Sequence, residues 1–108
     1  MLSLSLIVAL SGLLAAGTAE AANNAMKDLM KKLGATAAGD DPRALAPLLS
    51  QARTMKPADG EYAGWDAMAD KGKAAAEAGD LAGAKASCKE CHSAYRDKYK
   101  TKYGSKAP

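Results

Sequence analysis

Apolar residues return every three or four positions along most of the chain, and nowhere do they alternate as a half-buried strand requires. Met26, Leu29, Met30, Leu33 and Ala37 fall at i, i+3, i+4, i+7 and i+11, one stripe that predicts an amphipathic helix ending near Gly39. A second helix opens at Asp41 and Pro42, a cap followed by proline, and carries Leu45, Leu48, Leu49, Ala52 and Met55. Pro47 should break or kink it, so regular helix is expected to start there. The stretch "KPADGEY", residues 56–62, reads as a long turn separating two halves. Beyond it, Trp65, Met68, Ala69, Gly72 and Ala76 share a face of a third helix that stops at Gly79. Asp80 caps a fourth, with Leu81, Ala84, Cys88, Cys91, His92, Tyr95 and Tyr99 on a single stripe. Short connections between neighbours imply antiparallel packing. The expected fold is therefore all-α, an up-down-up-down four-helix bundle in one domain.

The N-terminal segment has a different pattern. "MLSLSLIVALSGLLAAGTAEA" runs through an apolar stretch from Leu4 to Ala16 and closes on Ala19-Glu20-Ala21, the small-x-small pattern cut by a signal peptidase. A retained transmembrane anchor is the alternative, but Ser11 and Gly12 interrupt the run, which falls short of the roughly 20 residues that a span needs. No Lys or Arg precedes the apolar run, so the amino terminus alone supplies the positive charge. Residues 1–21 are thus expected to be a cleaved secretory signal, leaving 22–108 as one exported domain, located in the periplasm.

Composition makes the core of that domain thin. There is one Trp, no Phe and few large aliphatics, and so short a chain buries little of its own surface. Something other than protein is expected to fill the middle. Without its leader the chain keeps fifteen basic residues and eleven acidic ones, a formal charge of +4. The excess lies toward the C-terminus, where Lys85, Lys89, Arg96, Lys98, Lys100, Lys102 and Lys106 face only Glu90 and Asp97. On an exported helix this reads as a solvated face rather than a nucleic-acid arm.

Both cysteines and the sole histidine stand within five positions, "CKECH", residues 88–92. On a helix, Cys88, Cys91 and His92 leave one flank within about a turn, at i, i+3 and i+4. That arrangement suits a flat ligand clipped along one edge and coordinated at its centre: two thioether bonds to vinyl groups and an imidazole to iron. Cys-x-x-Cys-His is the attachment signature of c-type haem. A structural zinc site would need a fourth ligand, for which only carboxylates remain. A thioredoxin-like dithiol expects a βαβ context that the pattern lacks, and a disulfide between Cys88 and Cys91 would close a tiny loop in mid-helix.

In order along the chain, a methionine-containing first stripe, a tryptophan opening the third helix and the stretch "AAAEAGDLAGAKASCKECHSAYRDKY" resemble the class II c-type cytochromes, the group of cytochrome c prime and its six-coordinate, methionine-ligated relatives. Attachment near the C-terminus is the more specific feature. The chain is short for that family, and Ala22 stands where an arginine usually precedes the distal position by four residues. The resemblance implies one covalent haem c enclosed by a four-helix bundle, with His92 as proximal iron ligand and Arg96 against the proximal side of the haem. Arg96 also follows His92 by four residues, where its charge can meet a haem propionate. Trp65 is expected to form a wall of the pocket.

The sixth iron position decides the activity. With one histidine in the chain, the candidates are Met26, Met30, Met55, Met68, a lysine or no ligand. If helices one and four are antiparallel, His92 lies about 16 Å below the end of the bundle, and the same distance back along helix one reaches Lys27, beside Met26. The family's distal position, eight residues before the glycine matched by Gly34, agrees with Met26; Met30 is the alternative. A thioether there favours electron transfer, because it stabilises Fe(II) and blocks small molecules, whereas an open position favours binding of NO or CO. Peroxidase-like catalysis would want a distal acid-base group, and the single histidine is already used, so no enzymatic activity is expected. The expected partner is an acidic redox protein, with no nucleic acid, no membrane anchor once the leader is removed, and homodimer formation left open.

Overall fold

A computed structural model describes residues 24–108; the expected signal segment and Ala22 lie outside the described residues. The described chain forms α1 (Ala25–Ala37), α2 (Leu45–Thr54), α3 (Trp65–Glu77) and α4 (Leu81–Cys91), and a π-helical turn at His92–Arg96 carries α4 into α5 (Asp97–Tyr103). It is all-helical, four helices with the last running through the π turn, and no strand occurs among the described residues. This arrangement is compatible with a four-helix bundle. None of these helices is long and apolar enough to cross a membrane.

Each boundary has a local cause. α1 buries Met26, Leu29 and Leu33 and leaves Lys27, Lys31 and Lys32 outside. It lacks a side-chain cap; instead the backbone N–H groups of Met26 and Lys27 donate to the Ser105 carbonyl at 3.1 and 3.3 Å, so the last turn of the described chain satisfies two otherwise unpaired donors. Asp41 accepts a hydrogen bond from the Arg43 N–H at 3.1 Å and sets a 3-10 turn over Pro42–Ala44. α2 then starts at Leu45, two residues earlier than Pro47 led us to expect. Pro47 lies in the first turn of α2, where no N–H has an intrahelical acceptor, so the ring neither breaks nor kinks the helix. Gly79, at φ +77°, reverses the chain after α3, and the Asp80 carboxylate accepts from the Gly83 N–H at 2.9 Å to start α4.

α3 and α4 form the most extensive helix pair, and small residues make it possible. Ala76 and Ala84 are fully buried, and a Cβ placed on Gly72 would stand 3.0 Å from Ser87 Oγ and 3.3 Å from Leu49 Cδ1. Ser87 is itself buried and donates its hydroxyl to the Met68 carbonyl. "KPADGEY" is more than a turn: Pro57 is buried, and Tyr62, in a 3-10 turn at Gly60–Tyr62, is wholly inaccessible. The expected single α stripe through Tyr99 is also revised. A π turn takes one more residue per hydrogen-bonded loop than an α turn, which re-aims every side chain after His92 while still burying Tyr99.

Candidate functional site

Direct packing between α1 and α4 is slight, because a mostly apolar cavity of about 580 Å³ lies where the two would otherwise meet. α1 contributes Met26, Met30, Leu33 and Gly34 to one wall. Leu49 and Ala52 of α2, with Trp65, Met68 and Ala69 of α3, line its floor. The opposite wall is Cys88 and Cys91 of α4, then His92, Tyr95 and Arg96 of the π turn and Tyr99 of α5. All seven residues singled out from the sequence, Met26, Met30, Trp65, Cys88, Cys91, His92 and Arg96, therefore face one space.

The thiols of Cys88 and Cys91 are half-buried and unpaired. Burial pushes both up from their ordinary value, and for Cys91 the neighbouring Cys88 adds to the effect. Both stay protonated at neutral pH, which is the opposite of the activated thiolate that a redox dithiol needs. His92 opens the π turn, and although the residue is exposed overall, partial burial, followed by the charge of Arg96, holds its pKa below the usual value. Its imidazole is thus kept neutral, with a lone pair free to coordinate. Trp65 is fixed by a hydrogen bond from Nε1 to the Ala52 carbonyl at 2.9 Å. The Tyr95 hydroxyl accepts from the Gly64 N–H at 2.7 Å, tying the wall to the start of α3; a Cβ at Gly64 would stand 2.8 Å from that oxygen and force it to shift.

Three cations beside Arg96 also line the cavity: Lys27, Lys85 and Lys100. Among the described residues none of the four makes an ion pair, whereas Arg53, Lys56, Lys71 and Lys73, which do not line the cavity, are all paired with carboxylates. Lys89, three residues before His92, instead faces a separate shallow groove beside Glu90 and Ser93. Lys27 and Lys100 were not foreseen at the site; the adjacency of Lys27 to Met26 was the one available signal. Ser87 was missed as well, because its neighbours on the stripe are more apolar. Among the described residues no three His, Cys, Asp or Glu side chains converge to hold a bare metal ion. No family model, curated protein or solved structure matches the chain.

Proposed function

We propose that this chain is an exported class II c-type cytochrome, an electron-transfer protein of the periplasm with one covalent haem c seated between α1 and α4 of an antiparallel up-down-up-down bundle. The observation that carries the proposal is the cavity itself: it joins Cys88, Cys91 and His92 on one wall to Met26 and Met30 on the other. Its volume, about 580 Å³, falls in the range of roughly 300–1,000 Å³ typical of cofactor sites. The donor set fits the group. Two free, protonated thiols suit addition to two vinyl groups, a neutral imidazole suits iron, and the apolar floor suits a flat macrocycle. The rim cations, Arg96 among them, suit its carboxylates.

When bound, the haem supplies a one-electron Fe(III)/Fe(II) couple. The chain's residues do the rest. Cys88 and Cys91 would anchor its edge, His92 would donate its lone pair to the iron, and Trp65, pinned to Ala52, would keep water from the floor. Met26 would offer its thioether to the iron, which would favour the reduced state and exclude small ligands. The unpaired cations of α1 and α4 attract an acidic redox partner. An absorption spectrum of the reduced protein with and without CO tests this reading. A low-spin spectrum unmoved by CO is expected; immediate CO uptake would replace electron transfer with diatomic-gas binding, and a folded, colourless protein would end the proposal.

A further inference from the structure

One short segment joins the two walls of the cavity through backbone hydrogen bonds. After α5 the chain turns at Gly104, whose φ of +64° and ψ of −123° match the first corner of a type II′ turn, and the Lys106 N–H closes that turn on the Tyr103 carbonyl at 3.2 Å. Gly104 and Ser105 both line the cavity. From there the Ser105 carbonyl accepts from the N–H groups of Met26 and Lys27 at 3.1 and 3.3 Å. The segment that follows the His92 wall is thus tied to the wall that carries Met26.

Met26 is the second residue of α1, where a helix offers its own N–H no acceptor and frays most readily. α1 has no side-chain cap, and it faces α4 across the cavity rather than packing on it directly. The Ser105 carbonyl takes the place of a cap. Its own position is fixed at two points: the Tyr99 hydroxyl donates to the Lys106 carbonyl just beyond it, and Gly104 supplies a backbone shape that only a residue without Cβ adopts freely. Tyr99 is buried, its ring packed between those of Trp65 and Tyr103 at 5.8 and 5.0 Å. The anchor of the segment therefore belongs to the packed part of the site.

We propose that residues 104–106 form a strap that positions Met26: it keeps the first turn of α1 helical and so fixes how far the Met26 thioether reaches across the cavity toward His92. The proposal rests on the covalent haem argued above, with Met26 as the sixth ligand. Gly104 and Tyr99 are positioning residues in this role, since they act on that ligand through Ser105 and the backbone of α1. When the strap lets go, the first turn of α1 frays, the thioether withdraws and the site opens to a small ligand. The population of that open state sets the apparent affinity for CO, and loss of the thioether removes its preference for Fe(II).

The test uses the haem-loaded chain, with CO titration of the reduced protein, the reduction potential and amide exchange at Met26 and Lys27 measured side by side. Gly104→Ala strains the backbone at positive φ, and no heavy atom stands within 4 Å of the Cβ it adds, so the strain is its only direct effect. It should raise the apparent CO affinity about tenfold, lower the potential and speed exchange at both amides. Tyr99→Phe keeps the ring, removes the hydrogen bond to Lys106 and should raise the CO affinity about fivefold. Asp80→Ala weakens the start of α4 instead and should move none of the three readouts. In a Met26→Leu background, already open, Gly104→Ala should add nothing, because the strap acts through the thioether. If Met26→Leu opens the site while Gly104→Ala and Tyr99→Phe keep wild-type CO affinity and potential, the strap is overturned and the haem reading stands. The same holds if Asp80→Ala matches Gly104→Ala, or if the effect of Gly104→Ala persists in full without the thioether. A wild-type site that takes up CO at once, or one that stays CO-resistant in Met26→Leu, would overturn Met26 as the ligand and the strap with it. A folded, colourless protein would overturn the haem as well.

Discussion

Met26 and Met30 stand one helical turn apart on the same wall of the cavity, so the choice between them is a matter of reach. Met26 is the more deeply buried, at 7 % exposure, and lies at the end of α1 fastened to Ser105. Replacing Met26 with leucine keeps the apolar volume and removes the sulfur; it should turn a low-spin, CO-resistant site into a high-spin one that takes up CO. The same change at Met30 should leave the spectrum nearly intact, and the reverse order of effects would reassign the ligand. Tyr99 provides a separate residue-level test. Burial, with Tyr103 and Tyr62 adding to it, pushes its phenol up from 10.0 to about 12. Between those values the unfolded chain has released a proton that the folded chain keeps, so stability falls as pH rises through the window. Tyr99→Phe should flatten the decline of the urea midpoint over this range, and an unchanged slope would show that the phenol titrates alike in the folded and unfolded chain.

At the scale of elements, the close approach of α3 to α4 depends on residues without bulk. Gly72→Val would press methyl groups against Ser87 and Leu49, and should destabilise the protein by about 1–3 kcal/mol in equilibrium unfolding. Asp80→Ala removes the hydrogen bond to the Gly83 N–H and should cost about 1 kcal/mol. Helix number, the caps at Asp41 and Asp80 and the stop at Gly79 could be read from the sequence because each has a local cause. So could the facing of Cys88, Cys91 and His92 into a common space, since it follows from i, i+3, i+4 spacing. Three features could not. Pro47 is harmless only because α2 begins two residues before it, the π turn leaves the side-chain pattern looking α-helical, and Tyr62 is an apolar anchor in a segment whose other residues all signal a turn. For Tyr62, tertiary packing outweighs the local pattern.

The whole molecule is asymmetric in both packing and charge. Its cavity lies where a helix pair would normally meet, so an occupant of that space should stabilise the fold. Replacing Cys88 and Cys91 with alanine in a host competent for haem c attachment should abolish bound pigment and leave a largely unfolded chain, measurable by absorbance and far-ultraviolet circular dichroism; a cooperatively folded apoprotein would contradict this. Charge follows the same division. α1 carries Lys27, Lys31 and Lys32 against Asp28, and the run from Leu81 to Tyr103 carries six basic residues against Glu90 and Asp97, whereas Leu45–Glu77 holds four basic and five acidic residues. The face bearing the cavity is therefore positive. Electron transfer to an acidic partner should slow as salt rises, since exposed charges are screened beyond about 8–10 Å at physiological ionic strength; a rate insensitive to salt would leave the basic face as solubilising surface. The cavity's position has a further consequence for motion. α2, α3 and α4 hold one another through direct side-chain packing, while α1 rests chiefly on α2, with its N-terminus fastened to Ser105 and one flank turned to the space between. Amide hydrogens along α1 should then exchange with deuterium through small local openings, well before those of the Gly72–Ser87 seam, and filling the cavity should slow α1 alone. The chain would thus be a rigid three-helix frame closed by one comparatively mobile wall.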